Sequence, residues 1–334
     1  MVGYLVGLWR DKGGQRGHAQ AQIGTIWIRY RLDKIPEEKD SSKMIKTPAR
    51  GLTTLDWATV LAQAIPDAID RALAEDSGHG DVTTLATIPP DLHAAGTLLA
   101  KAHGIVAGLE VARQTFCRVE ASVLFTPFVE DGQRVQPGDQ LAHVTGPAQA
   151  LLIGERVALN FLQRMSGIAT LTDRYVAAVA GTRAKILDTR KTAPGLRLLD
   201  KWAVLLGGGD NHRIGLYDMA MIKDNHIAAA GGIRAAVMRV RERWGHALPV
   251  EVEVGNLEQL HEALALDLDQ IMLDNMDLAT MRRAVEIVAG RVPLEASGNV
   301  SLETVVAIAA TGVDYISVGK LTHSVEALDI SFKL

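Results

Sequence analysis

Val250-Glu-Val-Glu-Val254, the helix-spaced segment Leu257–Leu266 and the apolar run Gln270-Ile-Met-Leu273 together decide the fold. A strand-length run, a segment with apolar residues three and four apart, and a second strand-length run read as strand, helix, parallel strand. The same alternation continues on both sides. Ala184–Thr189 and Met219–Lys223 read as strands before it, and Pro293–Ala296 and Tyr315–Val318 after it. Ile233–Trp244, Leu278–Val288 and Leu302–Ala310 are helical in period. Repeated strand–helix units imply a parallel sheet with right-handed crossovers. Six or seven such units beyond Gly181 suit a barrel, although periodicity alone does not separate this from an open, doubly wound sheet. No Gly-x-Gly-x-x-Gly fingerprint follows the first strand, which argues against a dinucleotide site.

Charged residues stand where these strands give out. Arg190 and Lys191 follow the first, Lys223 and Asp224 the second, Glu251 and Glu253 the third, Asp274 the fourth and Glu295 the fifth. The carboxyl ends of barrel strands share one mouth, so these side chains are expected to meet around one ligand. A single charged strand end would be an ordinary loop ion pair; five in succession are not. Leu187–Gly195, Gly207–Arg213 and Ile222–His226 gather Arg190, Lys191, His212, Arg213 and Lys223. Cations so dense repel one another and call for a ligand with several negative charges. The last two strands end in Ser297-Gly-Asn299 and Val318-Gly-Lys320, whose small residues expose backbone N–H groups near helix starts. That is a phosphate-holding arrangement.

Upstream, Gly154–Val179 has helical spacing, with Ser166-Gly167 expected to divide it into two helices. Arg156 falls near the start of the first, where a cation opposes the helix dipole, so it reads as functional or paired. Gly96–Lys101, Gly104–Gly108 and Ala121–Phe128 are short β-like runs separated by turns at Asp131-Gly132 and Pro137-Gly-Asp139. They suggest a small sandwich-like domain, with Lys101 a surface cation. Thr54–Ala74 reads as an amphipathic helix. The acidic turn Glu75–Thr84 after it suits either a hard cation or an Asx-type turn at Asp81 and Thr83.

The 334 residues leave room for two domains. Hydrophobic residues at 48% and charged residues at 22% are an ordinary globular balance. A net charge of −4 argues against a general nucleic-acid binder. The single cysteine, Cys117, excludes a disulfide framework within the chain and suits a reducing compartment. No apolar run approaches the roughly 20 residues that span a bilayer. Met1–Trp9 lacks the basic start and cleavage-like site of a signal peptide, so a cytoplasmic location is expected. The first fifty residues hold ten Lys and Arg against five Asp and Glu, a net of +5 that leaves −9 for the rest. They read as a basic leader and linker with one candidate strand, Ile23–Tyr30, and Met44 is a candidate natural start.

From about Leu55 to Ser324 the chain resembles the quinolinate phosphoribosyltransferase family. The match rests on Asp188-Thr-Arg-Lys-Thr192, Gly207-Gly-Gly-Asp-Asn-His-Arg213, Lys223-Asp-Asn-His226, Glu251-Val-Glu-Val254, Leu273-Asp-Asn275 and Ser297-Gly298, in order and spacing. The resemblance implies an α/β protein, with an N-terminal α/β sandwich domain and a C-terminal open α/β barrel of six to seven parallel strands. The chain would divide into a leader (1–50), the sandwich (51–165), the barrel (166–322) and a tail returning to the sandwich (323–334).

The implied reaction joins quinolinate to phosphoribosyl pyrophosphate, giving nicotinate mononucleotide, carbon dioxide and pyrophosphate, with Mg²⁺. The implied assembly is a homodimer or hexamer with shared active sites, binding neither nucleic acid nor membrane. By resemblance Thr189, Arg190, His212, Arg213 and Lys223 line the quinolinate pocket, and Arg156 reaches in from a neighbouring subunit. Lys191 would meet substrate or pyrophosphate charge. Glu253 and Asp274 would face the ribose and, indirectly or through substrate, the metal. Ser297, Gly298, Asn299, Val318, Gly319 and Lys320 would hold the 5′-phosphate; Lys320 departs from the small or apolar residue usual there. Two rivals share some features. One is a related enzyme class found beside molybdate-transport proteins, and the other is a non-catalytic binder of phosphorylated metabolites. The full basic set disfavours the first, and the acidic pair Glu253 and Asp274 disfavours the second.

Overall fold

The structure, a computed structural model, describes residues 56–334. The leader, with Ile23–Tyr30 and Met44, lies outside the described residues. Helix α1 (Trp57–Ser77) begins where the Asp56 carboxylate accepts the Thr59 N–H, and it buries Leu61, Ile65, Ala68 and Ile69 along one stripe. The acidic turn that follows resolves as a helix cap. Asp81 accepts the N–H groups of Thr83 and Thr84, both at 3.0 Å, at the start of α2 (Val82–Thr87), and its second oxygen takes the Thr84 hydroxyl. Those oxygens are spoken for locally, as an Asx-type turn requires.

The first layer is an antiparallel sheet of β1 (His93–Ala100), β3 (Leu124–Pro127), β5 (Gln140–Pro147) and β12 (Ile330–Lys333), ordered β12-β1-β5-β3. A small ribbon of β2 (Gly104–Ile105) and β4 (Arg134–Val135) stands beside it. The inward residues Leu98, Leu141 and Val144 pack with Phe116 of α3 (Leu109–Val119) and with Leu151, Leu159 and Leu162 of α4 (Ala148–Ala178). The last strand of the chain completes this sheet, with Thr97 opposite Lys333 and Ala100 opposite Ile330.

Helix α4 runs unbroken through Ser166-Gly167, where two helices were expected. Both residues serve contacts rather than a turn. The buried Ser166 hydroxyl bonds the N–H and C=O of Ala107. A Cβ at Gly167 would lie 2.2 Å from the Glu326 carbonyl oxygen, so glycine is needed where the returning tail crosses the helix. The stripe of α4 that continues through Val157, Phe161, Met165, Ile168 and Ala169 belongs to a second core, that of the barrel.

That barrel is a six-stranded parallel sheet of β6 (Lys185–Leu187), β7 (Ala220–Ile222), β8 (Val250–Val254), β9 (Gln270–Asp274), β10 (Leu294–Ser297) and β11 (Tyr315–Ser317), ordered β6-β11-β10-β9-β8-β7. Its helices are α5 (Arg197–Leu206), α6 (Asp224–Ala230), α7 (Ile233–Trp244), α8 (Leu257–Leu264), α9 (Leu278–Val288), α10 (Val305–Ala309) and α11 (Lys320–His323). Among the described residues, edge strands β6 and β7 do not pair, so the barrel is open. One parallel bridge joins Leu187 to Asp210, and the chain then passes through His212 and Arg213 to reach β7. Helix α10 is shorter than the expected Leu302–Ala310, because Ser301–Thr304 forms a turn in which the Thr304 hydroxyl accepts the Ser301 N–H.

Candidate active site

Strand periodicity places the acids. Successive side chains of a strand alternate in direction, so Glu251 and Glu253 of β8 share a face, with Glu253 one step nearer the carboxyl end. Glu253 is only partly buried and forms an ion pair with Lys223, Oε2 to Nζ at 2.8 Å. The expected cationic and anionic sides of the site therefore touch directly. Asp274 closes β9 at the same level, and one of its oxygens accepts the side-chain amide of Asn275 at 2.9 Å.

Glu251 and Glu295 were expected at the mouth, but both are fully buried beneath it. Each is the second residue of its strand, too deep to reach solvent. Gln270 donates one side-chain amide to both carboxylates, at 2.9 and 2.6 Å. Nε2 of His212 lies 3.1 Å from Glu251 and 3.2 Å from Glu295. Burial disfavours a charge on the His212 ring, but Glu295 and Glu251 outweigh it and lift its pKa to about 10. Burial, followed by the Glu295 charge, pushes the Glu251 carboxyl up. The backbone N–H of Arg213 points at Nδ1 of His212 at 2.7 Å, so that nitrogen accepts rather than donates. The additional proton therefore belongs to the cluster of Nε2 and two carboxylates, which titrates as a unit.

On the other side of His212 lies a second buried cluster. The Lys201 ammonium, fully enclosed within α5, pairs with Asp188 and donates to the His212 carbonyl at 3.0 Å. Asp188 also accepts the His212 N–H at 2.9 Å and the Asn211 amide at 2.6 Å. Burial pushes the Asp188 carboxyl up and the Lys201 ammonium down, each opposed by its partner.

These two clusters hold up the cationic wall. Arg213 is buried, with Nη1 donating to the Met219 carbonyl at 3.0 Å. Burial and then the charge of Arg190 lower its pKa. Nε of Arg190 is buried and has no hydrogen-bond partner among the described residues. Thr189 turns its hydroxyl back to the Lys191 N–H at 3.1 Å, while the Thr322 hydroxyl donates to the Lys191 carbonyl at 2.9 Å. The exposed Lys191 side chain leans on Gly319, where an added Cβ would come within 3.0 Å of its Cδ.

The two glycine loops meet this wall. Gly298 has φ +102°, and a Cβ there would strike the Asn275 side chain at 2.1 Å. Asn275 accepts from the Asn299 amide at 3.3 Å, so the Ser297–Asn299 loop is stitched to the end of β9. Val318 corrects the sequence reading: it is buried, and its N–H is taken by the Leu187 carbonyl at 2.9 Å. Gly319 is half-buried and Lys320 is exposed. Arg156 stands exposed on α4 with no hydrogen bond or ion pair among the described residues.

The N- and C-terminal domains described as quinolinate phosphoribosyl transferase match residues 81–166 and 168–333. The chain belongs to the quinolinate phosphoribosyltransferase family. It is 51% identical over 285 residues to the chloroplastic nicotinate-nucleotide pyrophosphorylase [carboxylating] of Oryza sativa subsp. japonica, covering 80% of this chain and 76% of that one. It is 46% identical over 263 residues to the probable nicotinate-nucleotide pyrophosphorylase [carboxylating] of Bacillus subtilis, covering 79% and 91%. The crystal structure of NadC from Streptococcus pyogenes superposes with a TM-score of 0.79 at 43% identity, covering 81% of this chain and 95% of that one.

Sequence reasoning within this family missed Lys201 and Gln270, and gave no role to Asn275 although it stands in the motif Leu273-Asp-Asn275. Lys201 had a usable signal. Asp200-Lys201 interrupts the otherwise apolar run Leu198–Leu206, and its neighbours Leu199, Ala203 and Val204 are all buried. Gln270 opens an apolar strand, a position that reads as an ordinary strand start.

Proposed function

We propose that this chain transfers the phosphoribosyl group of phosphoribosyl pyrophosphate to quinolinate with decarboxylation, giving nicotinate mononucleotide, carbon dioxide and pyrophosphate. The observation that supports the substrate reading is the buried Arg213 guanidinium lying within range of the charge of the half-buried Arg190, whose own Nε–H is buried and unpartnered. Two guanidiniums that feel each other's charge repel unless an anion sits between them, and planar forks match planar carboxylates. Quinolinate offers two carboxylates on adjacent ring carbons. Lys223 and Thr189 complete this side, while the His212 ring, with both nitrogens engaged by Arg213 and the buried glutamates, supports it from beneath.

Opposite lies the ribose. Glu253 and Asp274 provide negative charge where an oxocarbenium-like ribose develops as pyrophosphate departs. The Lys223–Glu253 pair opens as substrates enter, freeing the ammonium for carboxylate and the carboxylate for ribose. Lys191 meets the leaving pyrophosphate, and Ser297–Asn299 with Gly319 and Lys320 cradles the 5′-phosphate. The ring nitrogen gives its electron pair to the ribose carbon, and the bond to pyrophosphate breaks with its pair on oxygen. The quaternised ring then accepts the electrons of the neighbouring carbon–carboxylate bond, releasing carbon dioxide, and the ring carbon takes up a proton. The protein supplies placement and charge.

The oxygen donors of Glu253 and Asp274 suit Mg²⁺, held by one or two carboxylates together with substrate oxygens. When bound, Mg²⁺ offsets charge on the leaving pyrophosphate. The isolated, exposed Arg156 supports a homodimer or hexamer in which it completes a neighbour's site. Among the described residues no helix is long and apolar enough to cross a membrane. The lone cysteine supports a reducing compartment such as the cytoplasm.

Pyrophosphate release, assayed with quinolinate and with nicotinate as acceptor, tests the reading. Turnover with quinolinate and little with nicotinate is expected; equal turnover with both, or none with quinolinate, overturns it.

A further inference from the structure

Lys201 is an unexpected resident of the barrel wall: a fully enclosed ammonium in the middle of a helix. Lysine is almost never buried without a partner, and removing an ion pair from water costs more than a pair of apolar side chains of the same size would. A core built only for stability would therefore not choose it. The bonds show what the pair organises. Asp188 and Lys201 come from β6's end and α5, and both fasten the same short stretch, Asn211-His212. Asp188 takes the His212 N–H at 2.9 Å and the Asn211 amide at 2.6 Å, while Lys201 takes the His212 carbonyl at 3.0 Å. The Asn211 amide also donates to the Lys201 carbonyl at 2.9 Å. Arg213 follows His212 directly and Arg190 lies two residues beyond Asp188, so one cluster fixes the backbone that leads to both guanidiniums, whose like charges repel.

We propose that Lys201 and Asp188, with Asn211, are positioning residues for quinolinate: they hold the backbone at Asn211-His212 so that Arg213 and Arg190 keep their places, against their mutual repulsion, before the dianion arrives. They act without touching the ligand. Pre-organisation of this kind lowers the cost of ordering the site on binding. The inference rests on the reading that Arg190 and Arg213 take the quinolinate carboxylates.

The test uses the full chain carrying Asp188→Asn with Lys201→Met, which removes both charges together, and separately Asn211→Ala, which keeps the ion pair. Cooperative thermal unfolding establishes that each variant is folded. For the double variant, the quinolinate Kd by calorimetry and its KM are expected to rise about 10- to 100-fold. The KM for phosphoribosyl pyrophosphate and the kcat at saturation should stay within about threefold. Asn211→Ala should show the same split at about 3- to 10-fold, and it carries the test alone if the double variant does not fold. Quinolinate affinity within about twofold of the wild type in a folded variant, or an equal loss for both substrates, overturns the proposal. Arg213→Ala separates the two levels of the argument. If it binds quinolinate as the wild type does, the underlying reading fails; if it loses binding while the double variant does not, only the present inference fails.

Discussion

Two polar clusters flank the His212–Arg213 backbone, and they differ in how their charges balance. Asp188 and Lys201 bring one acid and one base, and three donors around the Asp188 carboxylate satisfy it from the backbone and side chains of neighbouring elements. Glu251, Glu295 and His212 bring two acids against one base, and Nε2 of His212, one oxygen of Glu251 and one of Glu295 lack a well-directed hydrogen bond. A balanced pair in a dry interior is stiff and insensitive to solution conditions. An unbalanced triad must hold an additional proton, so its stability contribution follows pH.

The largest expected effect comes from unbalancing the balanced cluster. Asp188→Ala strands the Lys201 ammonium in the core and is expected to cost about 3–5 kcal/mol of stability, measured by urea unfolding. A cost below about 1 kcal/mol would mean that water reaches the ammonium.

The second effect is a pH dependence with a definite sign. The proton shared by His212, Glu251 and Glu295 leaves the folded protein near pH 10, against the ordinary histidine value of 6.5, so the triad's contribution is complete below about 6.5 and is lost as pH rises toward 10. The raised Glu251 carboxyl expresses the same shared proton rather than a second one. The urea midpoint is therefore expected to fall between about pH 7 and pH 10 in the wild type. Replacing Glu251 and Glu295 together by Gln should flatten that slope. An unchanged slope would place the titration elsewhere.

The smallest effect on stability should come from the charges at the mouth. Glu253→Ala and Lys191→Ala are expected to change stability by only about 0.5 kcal/mol while lowering turnover about 10²- to 10³-fold. Circular dichroism melts beside the pyrophosphate assay read both quantities. A wild-type rate in either variant would remove its proposed role.

Much of this was legible from the chain alone. Val250–Val254 and Ile233–Trp244 are observed with the bounds that their periodicity predicts. Other barrel strand ends moved by a residue or two and sandwich strand ends by up to three, because hydrogen bonding to a neighbour, not apolar character, decides where a strand stops. Ser166-Gly167 was misread for a related reason. Glycine signals close approach as readily as a turn, and only the tail crossing at Glu326 distinguishes the two. Within the site, Arg190, Arg213, Lys223, Glu253 and Asp274 stood out because charged residues at strand ends break an apolar pattern. Glu251 and Glu295 broke it equally, yet their depth along the strand was invisible without the register of β8 against β9 and β10.

The sequence by itself determined the alternation of strand and helix, the two-domain composition and the family motifs, since these depend on local periodicity and residue type. Only the tertiary structure decided which charges neutralise one another. Asp188 with Lys201, and His212 with Glu251 and Glu295, are brought together by packing between elements distant in the chain. Electrostatic energy depends on separation and burial, and neither is written in the order of residues.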